Sequence, residues 1–414
     1  MALPLVAARN CKNITVPVSI SAENTNLGPL SFETNIDATN FFLGTLAAGR
    51  HTSSASNTTV ADATKIITVS GTYNLSTVYC EPDSGTPDVL QILTHGFGFD
   101  GSYWDFPFHS HNYSYVNFAL DHGYATLSWD RLGHAGSSHG DPVREIQLPL
   151  EVAALHELTR LARNGSISDI GRPDGFGKVV HVGHSLGSSI TNALAVVDPA
   201  ASDGLMLTGF SHVDDFQPLA TTGLHLVQAR TIPRFASYPG GYLAQADKVA
   251  VHFVFFAPGT FDPEMLDAAF EAGQTLAIGE VATGGYKAME ISQTKAPVLV
   301  VTGEHDIVFC GGDCNAPLTP NSTENLLEIS RLYFPCTTAF QASIISGGGH
   351  GLNLHGPHIS SRNYRDADLY LLQDYTWPET YGTITDFLAR NGLEQSKHDG
   401  VVQQWPFTGK RVEI

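Results

Sequence analysis

The sequence predicts an α/β protein: a mainly parallel eight-stranded sheet flanked by helices, with a helical cap inserted after the sixth strand. Three observations carry this. Short apolar or alternating runs bounded by turn residues read as strands, and between the later ones lie segments with apolar residues at helical spacing. One of those strands runs through Gly183-His184-Ser185-Leu186-Gly187 directly into a helical pattern. A long stretch from about Ser211 to Thr294 then interrupts the strand-helix rhythm between two strands.

In chain order, strands are expected at Ile14–Ser21, Lys65–Tyr73, Val89–Thr94, Tyr124–Trp129, Lys178–Gly183, Gly204–Gly209, Pro297–Thr302 and Phe340–Ser346. The first two form a meander, which makes the N-terminal edge antiparallel. Helical spacing marks Leu148–Arg163, Leu186–Val197, Pro263–Ala272, Thr323–Phe334 and Thr380–Arg390. Strands alternating with helices give a parallel sheet covered on its faces. The interrupting stretch holds Phe216, Phe235, Tyr238, Tyr242, Phe253, Phe255, Phe256, Phe261 and Met265 without a clear sheet element. It is therefore expected to be a separate cap (211–294), leaving 1–210 and 295–414 as the core domain.

The chain has 414 residues, of which 42% are hydrophobic and 10% aromatic, enough for a large core. Charged residues are 15%, against about 25% in an average soluble protein. The formal charge of −19 argues against nucleic acid and anionic membrane as partners, because both demand a basic face. No run reaches the roughly 18 apolar residues of a membrane span.

Several features point outside the cell. Asn-x-Ser/Thr acceptor sequences stand at Asn13, Asn57, Asn74, Asn112, Asn164 and Asn321. The segment Cys310-Gly-Gly-Asp-Cys314 can close a small ring, since its glycines relax the geometry. Cys11 and Cys80 flank N-terminal strands and are the candidates for a staple, which leaves Cys336 over. Met1–Arg9 lacks the basic region of a secretory signal. The expectation is a secreted protein whose signal has been removed. No Cys-x-x-Cys or His-Glu-x-x-His spacing exists, so no metal is expected.

Gly183-x-Ser185-x-Gly187 between a buried strand and a helix has a physical reason. The serine sits on a sharp turn, and small residues two before and two after let neighbouring backbone pass close by. The helix that follows aims its N-terminus at the site and favours developing negative charge. The acid and the base should follow in chain order. Asp306, at the end of Pro297–Asp306, is the expected acid, with Glu304 and Asp313 as rivals. His350, after the last strand and a glycine run, is the expected base, with His355 and His358 as alternatives. The amide of Leu186 supplies one oxyanion donor. The loop His95-Gly96-Phe97-Gly98 supplies the other from Phe97 or Gly98. Phe99, Trp104, His184, Phe255 and Phe256 are the expected substrate contacts.

Together, His95-Gly96, Asp130-Arg131-Leu132-Gly133, Gly183–Gly187, Gly303–Asp306 and Gly349-His350 resemble the α/β-hydrolase fold family, and specifically its extracellular fungal branch. The resemblance spans about residues 85 to 390. It implies an eight-stranded sheet, a lid after the sixth strand and no cofactor. The Cys310–Cys314 loop beside the acid also looks like that branch. One position departs: the family pattern Asp-Arg-x-Gly-x-Gly-x-Ser has Ala135 at its second glycine, with Ser137 matching the serine.

The expected activity is serine-dependent cleavage of a carboxylic ester or lactone of an apolar small molecule through an acyl-enzyme. Acyl transfer, cyclisation or a lyase step in the same pocket, and a catalytically dead binding protein, are the alternatives. Epoxide and haloalkane chemistry is disfavoured, because such relatives carry Asp where this chain has Ser185.

Overall fold

A computed structural model describes residues 9–28, 30–49, 66–83, 85–108, 113–355 and 376–394. Its main sheet is built from β1 (Asn10–Thr25), β2 (Ile66–Glu81), β3 (Val89–Thr94), β4 (Ala125–Trp129), β5 (Lys178–His184), β6 (Gly204–Thr208), β10 (Val298–Gly303) and β11 (Phe340–Ile345). The spatial order is β1-β2-β4-β3-β5-β6-β10-β11. The edge formed by β1, β2 and β4 is antiparallel, and every other pairing is parallel. β3 and β10 are buried along their whole length, as strands covered on both faces must be. β1 alternates buried and exposed residues instead, because one of its faces is open.

The helices are α1 (Asn35–Gly49), α2 (Tyr115–Asp121), α3 (Leu148–Arg163), α4 (Leu186–Val197), α5 (Gln217–Gly223), α6 (Lys248–Phe255), α7 (Pro263–Ala272), α8 (Ile278–Thr283), α9 (Ile307–Cys310) and α10 (Thr376–Arg390). Two cores form on the two sides of the sheet. Leu90, Ile92, Leu127 and Val179 pack with Leu155 and Leu158 of α3 and Ile190 and Leu194 of α4. Val89, Leu93, Val180 and Val182 face the other way, toward Val116 of α2 and Tyr381, Ile384 and Leu388 of α10. The strand period of two produces this division. α3 begins with Pro149 in its first turn, where a missing N–H costs nothing, and ends with Arg160 and Arg163, whose charges suit the negative end of the helix dipole.

The stretch after β6 carries four short helices, α5 to α8, but much of it is irregular, so it is less helical than expected. It also contains what the sequence reading lacked: a small antiparallel sheet of β7 (Leu226–Gln228), β8 (Tyr242–Gln245) and β9 (Leu276–Ala277), in the order β7-β8-β9. These strands are two to four residues long, too short to show a periodicity. Phe255, Phe256, Phe261 and Met265 are buried in one main core, and Phe235 and Tyr242 in the other. The helical spacing over Thr323–Phe334 predicts an α-helix. A 3-10 helix over Leu326–Tyr333 stands there instead, capped by Asn325.

Cys11 and Cys80 face each other across β1 and β2 and form a disulfide, and Cys310 pairs with Cys314. Cys336 is an exposed free thiol. Asn13, Asn74, Asn164 and Asn321 are exposed, while Asn57 and Asn112 lie outside the described residues. Among the described residues no helix is long and apolar enough to cross a membrane.

Candidate active site

Ser185 joins β5 to α4 with φ 54° and ψ −118°, a conformation that costs a non-glycine residue of order 1–3 kcal/mol. The neighbourhood enforces it. Ser185 N–H donates to the Thr208 carbonyl at 2.9 Å. A Cβ on Gly187 would stand 2.2 Å from the Thr94 carbonyl oxygen, and one on Gly96 would stand 2.8 Å from the Ser185 Cβ. Only glycines let the elbow and the loop after β3 approach so closely. Leu186 opens α4, so its N–H precedes the first intrahelical hydrogen bond and is free to meet an anion.

Asp306, Ser185 and His350 are brought together. His350 Nδ1 lies 2.9 Å from Asp306 Oδ2, and His350 Nε2 lies 2.8 Å from Ser185 Oγ. A carboxylate only accepts, so Nδ1 carries the proton and Nε2 is left to accept from the serine hydroxyl. Asp306 caps α9: its Oδ1 accepts the N–H groups of Val308 at 2.7 Å and Phe309 at 3.0 Å, and its Oδ2 accepts from Thr302 at 2.5 Å. Burial pushes the Asp306 carboxyl up. The adjacent His350 and the hydrogen bonds from His350, Thr302 and Phe309 outweigh it and hold the group below its ordinary value. All three residues are nearly closed off, with Ser185 7% exposed.

The other named candidates fall in different places. Phe255 lies 5.7 Å from the His350 ring, and Phe99 packs on Phe255 at 5.1 Å. His184 stacks on Tyr103 at 4.4 Å and lies 5.1 Å from His350. Burial holds its imidazole well below the ordinary histidine value, as does the charge that His350 can carry. Trp104 does not reach Ser185 and is fully buried against Tyr103 and Tyr115, a core residue. Phe256 packs on Phe261 at 4.7 Å and on His355 at 5.5 Å. Of the rivals to Asp306, Glu304 binds Ser346 and the Gly347 N–H and is not on His350. His355 is likewise not on Ser185, and its bonds go to Gly349, Ala257 and Gly351. His358 lies outside the described residues.

Sequence reading gave Arg131 no role of its own. It is fully buried, 2.9 Å from Glu151 of α3 and in contact with Glu280 of α8, and it donates to the Gly96 carbonyl at 3.2 Å. It therefore ties the core, the segment after β6 and the loop beside Ser185 to one cation. His134, Glu151 and Glu280 have the spacing of metal ligands, but the Arg131 guanidinium already fills the place between the two carboxylates. Ala135, where the resemblance led one to expect glycine, takes φ 39° and keeps the left-handed backbone all the same. Ser137 Oγ donates to the Asp130 carbonyl at 2.5 Å, and Asp130 Oδ1 accepts the Gly101 N–H at 2.9 Å, so this loop braces the one that follows β3.

This sheet order and a serine elbow define the α/β-hydrolase class. The family model described as the Alpha/beta hydrolase family matches residues 91–359, well over half the chain, and the protein belongs to that family. Among curated proteins nothing matches. Similar solved structures include a thermophilic esterase from Thermogutta terrifontis, 16% identical, with a TM-score of 0.48, covering 78% of this chain and 95% of that one. A soluble variant of monoglyceride lipase from Saccharomyces cerevisiae is 13% identical, with a TM-score of 0.48, over 77% of this chain and 92% of that one. Epoxide hydrolase A from Mycobacterium thermoresistibile is 17% identical, with a TM-score of 0.42, over 78% and 97%.

Proposed function

We propose that the protein is a serine hydrolase that cleaves a carboxylic ester or lactone of an apolar small molecule through an acyl-enzyme. The observation that carries this is the unbroken relay from Asp306 through His350 to Ser185 Oγ, with distances of 2.9 and 2.8 Å. Ser185 Oγ attacks the carbonyl carbon while His350 Nε2 takes its proton. The imidazolium then returns that proton to the leaving alcohol. Asp306 holds the ring in the required tautomer and stabilises its charge. The N–H groups of Leu186 and Phe97 receive the oxyanion. Water, deprotonated by the same His350, releases the acid and restores the serine. Phe99 and Phe255 form the apolar wall beside the base, and residues 211–294 serve as the lid domain that excludes water.

The two disulfides and the exposed acceptor asparagines support a secreted glycoprotein of the extracellular fungal branch. A fluorophosphonate probe tests the chemistry. It should label the wild-type protein on the Ser185 peptide, and Ser185→Ala should abolish both labelling and ester turnover while leaving the circular dichroism spectrum unchanged. A Ser185→Ala variant that turns over esters at the wild-type rate would sink the acyl-enzyme.

A further inference from the structure

We propose that His355 is a positioning residue for His350, holding the glycine loop that carries the base against the cap segment Phe255–Ala257. The inference rests on the reading of His350 as the base. The His355 ring is fully buried. Its Nε2 accepts two backbone N–H groups, from Gly349 at 3.1 Å and from Ala257 at 2.9 Å. Its Nδ1 lies 2.9 Å from the Gly351 carbonyl, which only accepts, so Nδ1 bears the proton and Nε2 the lone pair. One neutral imidazole thus binds the residue before His350, the residue after it and the cap.

Two further bonds join the same segments. Gly351 N–H donates to the Phe255 carbonyl at 2.8 Å, and Thr260 Oγ1 donates to the Gly347 carbonyl at 2.7 Å. The contact is close: a Cβ on Gly349 would stand 2.6 Å from the Ala257 nitrogen and 2.9 Å from His355 Nε2. The loop before His350 has little stiffness of its own, since Gly347, Gly348 and Gly349 run in series and glycine restrains the backbone least. His350 takes its aim from these bonds. When the cap segment lifts away, Gly351 loses its acceptor and His355 loses one of its donors. Docking of the cap and alignment of the base are then one equilibrium, and Ser185 is fully activated only under a seated cap. Burial holds His355 at a pKa of about 4, with the charges that His305 and His350 can carry adding to the depression, so the ring is in its accepting form at neutral pH.

The test compares His355→Leu, which removes both ring nitrogens, with His355→Gln, whose amide oxygen can accept both N–H groups. Three readouts are taken well below each variant's melting temperature: fluorophosphonate labelling rate, kcat and KM, and amide hydrogen exchange. Expected for His355→Leu is a tenfold or greater loss in labelling rate and kcat, little change in KM, and faster exchange at 255–257 and 349–351 together. His355→Gln recovers most of the loss. If the Leu variant does not fold, His355→Asn, whose amide stops short of both donors, is compared with Gln in its place. Labelling and kcat within twofold of wild type in the Leu variant, or faster exchange in only one of the two segments, overturns the proposal. A wild-type protein that the probe never labels refutes the Ser185 chemistry instead, and the paired exchange still decides the latch.

Discussion

Replacing Arg131 by Met removes the cation that joins α3, α8 and the loop beside Ser185. The side chains of Arg131, Glu151 and Glu280 are all 0% exposed, so salt and water do little to screen them. Removing one partner of a buried ion pair costs about 3–5 kcal/mol, because the remaining charge is left uncompensated. Loss of the hydrogen bond to the Gly96 carbonyl adds about 1 kcal/mol. Against a total stability of roughly 5–15 kcal/mol this is a large share. Burial pushes the Glu151 carboxyl well above its ordinary value even with Arg131 present. A carboxyl whose folded pKa is raised favours folding most at low pH, and that contribution is lost as pH climbs above the unfolded value. Without Arg131 the shift grows, so the penalty should be larger at pH 8 than at pH 4.5. Urea unfolding followed by tryptophan fluorescence at the two pH values measures it. Adding Glu151→Gln and Glu280→Gln to the Met variant should restore much of the loss. A penalty below about 1 kcal/mol at pH 8, the range of exposed pairs, would refute the reasoning, as would a triple variant no more stable than the single one.

Phe255→Ala and Phe256→Ala should both lower stability by about 3–5 kcal/mol, since both rings are buried. Only Phe255→Ala, beside His350, should reorder the relative rates on a panel of esters; the same reordering by Phe256→Ala would contradict the packing of that ring on Phe261 and His355, away from Ser185. Acid should unfold the protein early. Burial lowers the pKa of His134 and His355 to about 4 and of His181 and His212 to about 3, and holds His95 and His184 well below the ordinary value. The unfolded chain therefore binds more protons below pH 6.5. Stability is complete above that value and falls toward pH 4, by up to about a kcal/mol per pH unit for each such histidine. Urea midpoints at pH 7 and pH 5 check this, and equal midpoints would count against neutral buried histidines.

Most strands and the long helices were legible because each carries its own period, though β2, expected to end at Tyr73, runs on to Glu81. Leu148–Arg163 and Leu186–Val197 end where their apolar spacing ends. Strands of two to four residues, such as β9, are shorter than any period and leave no trace. α1 was missed for a related reason: Ile36 and Leu43 are exposed, and its apolar residues trace no clean face. Trp104 shows a second limit. An aromatic in a loop next to the site looks the same in sequence whether it lines a pocket or closes the core, and neighbours far along the chain decide which.

By itself the sequence determined the elbow, because strand, serine, flanking glycines and helix are adjacent in the chain and the strain of the turn is local. It also made Asp306 the expected acid and His350 the expected base, each shortly after a strand, but left Glu304, Asp313, His355 and His358 as rivals. The tertiary structure alone decided which histidine meets the serine, since His350 and Ser185 are 165 residues apart. It alone gave His355 to the backbone of the cap. It alone joined Arg131 to Glu280 across 149 residues. Such contacts depend on which surfaces are buried together and on what each buried polar group must find there, and no spacing along the chain records that.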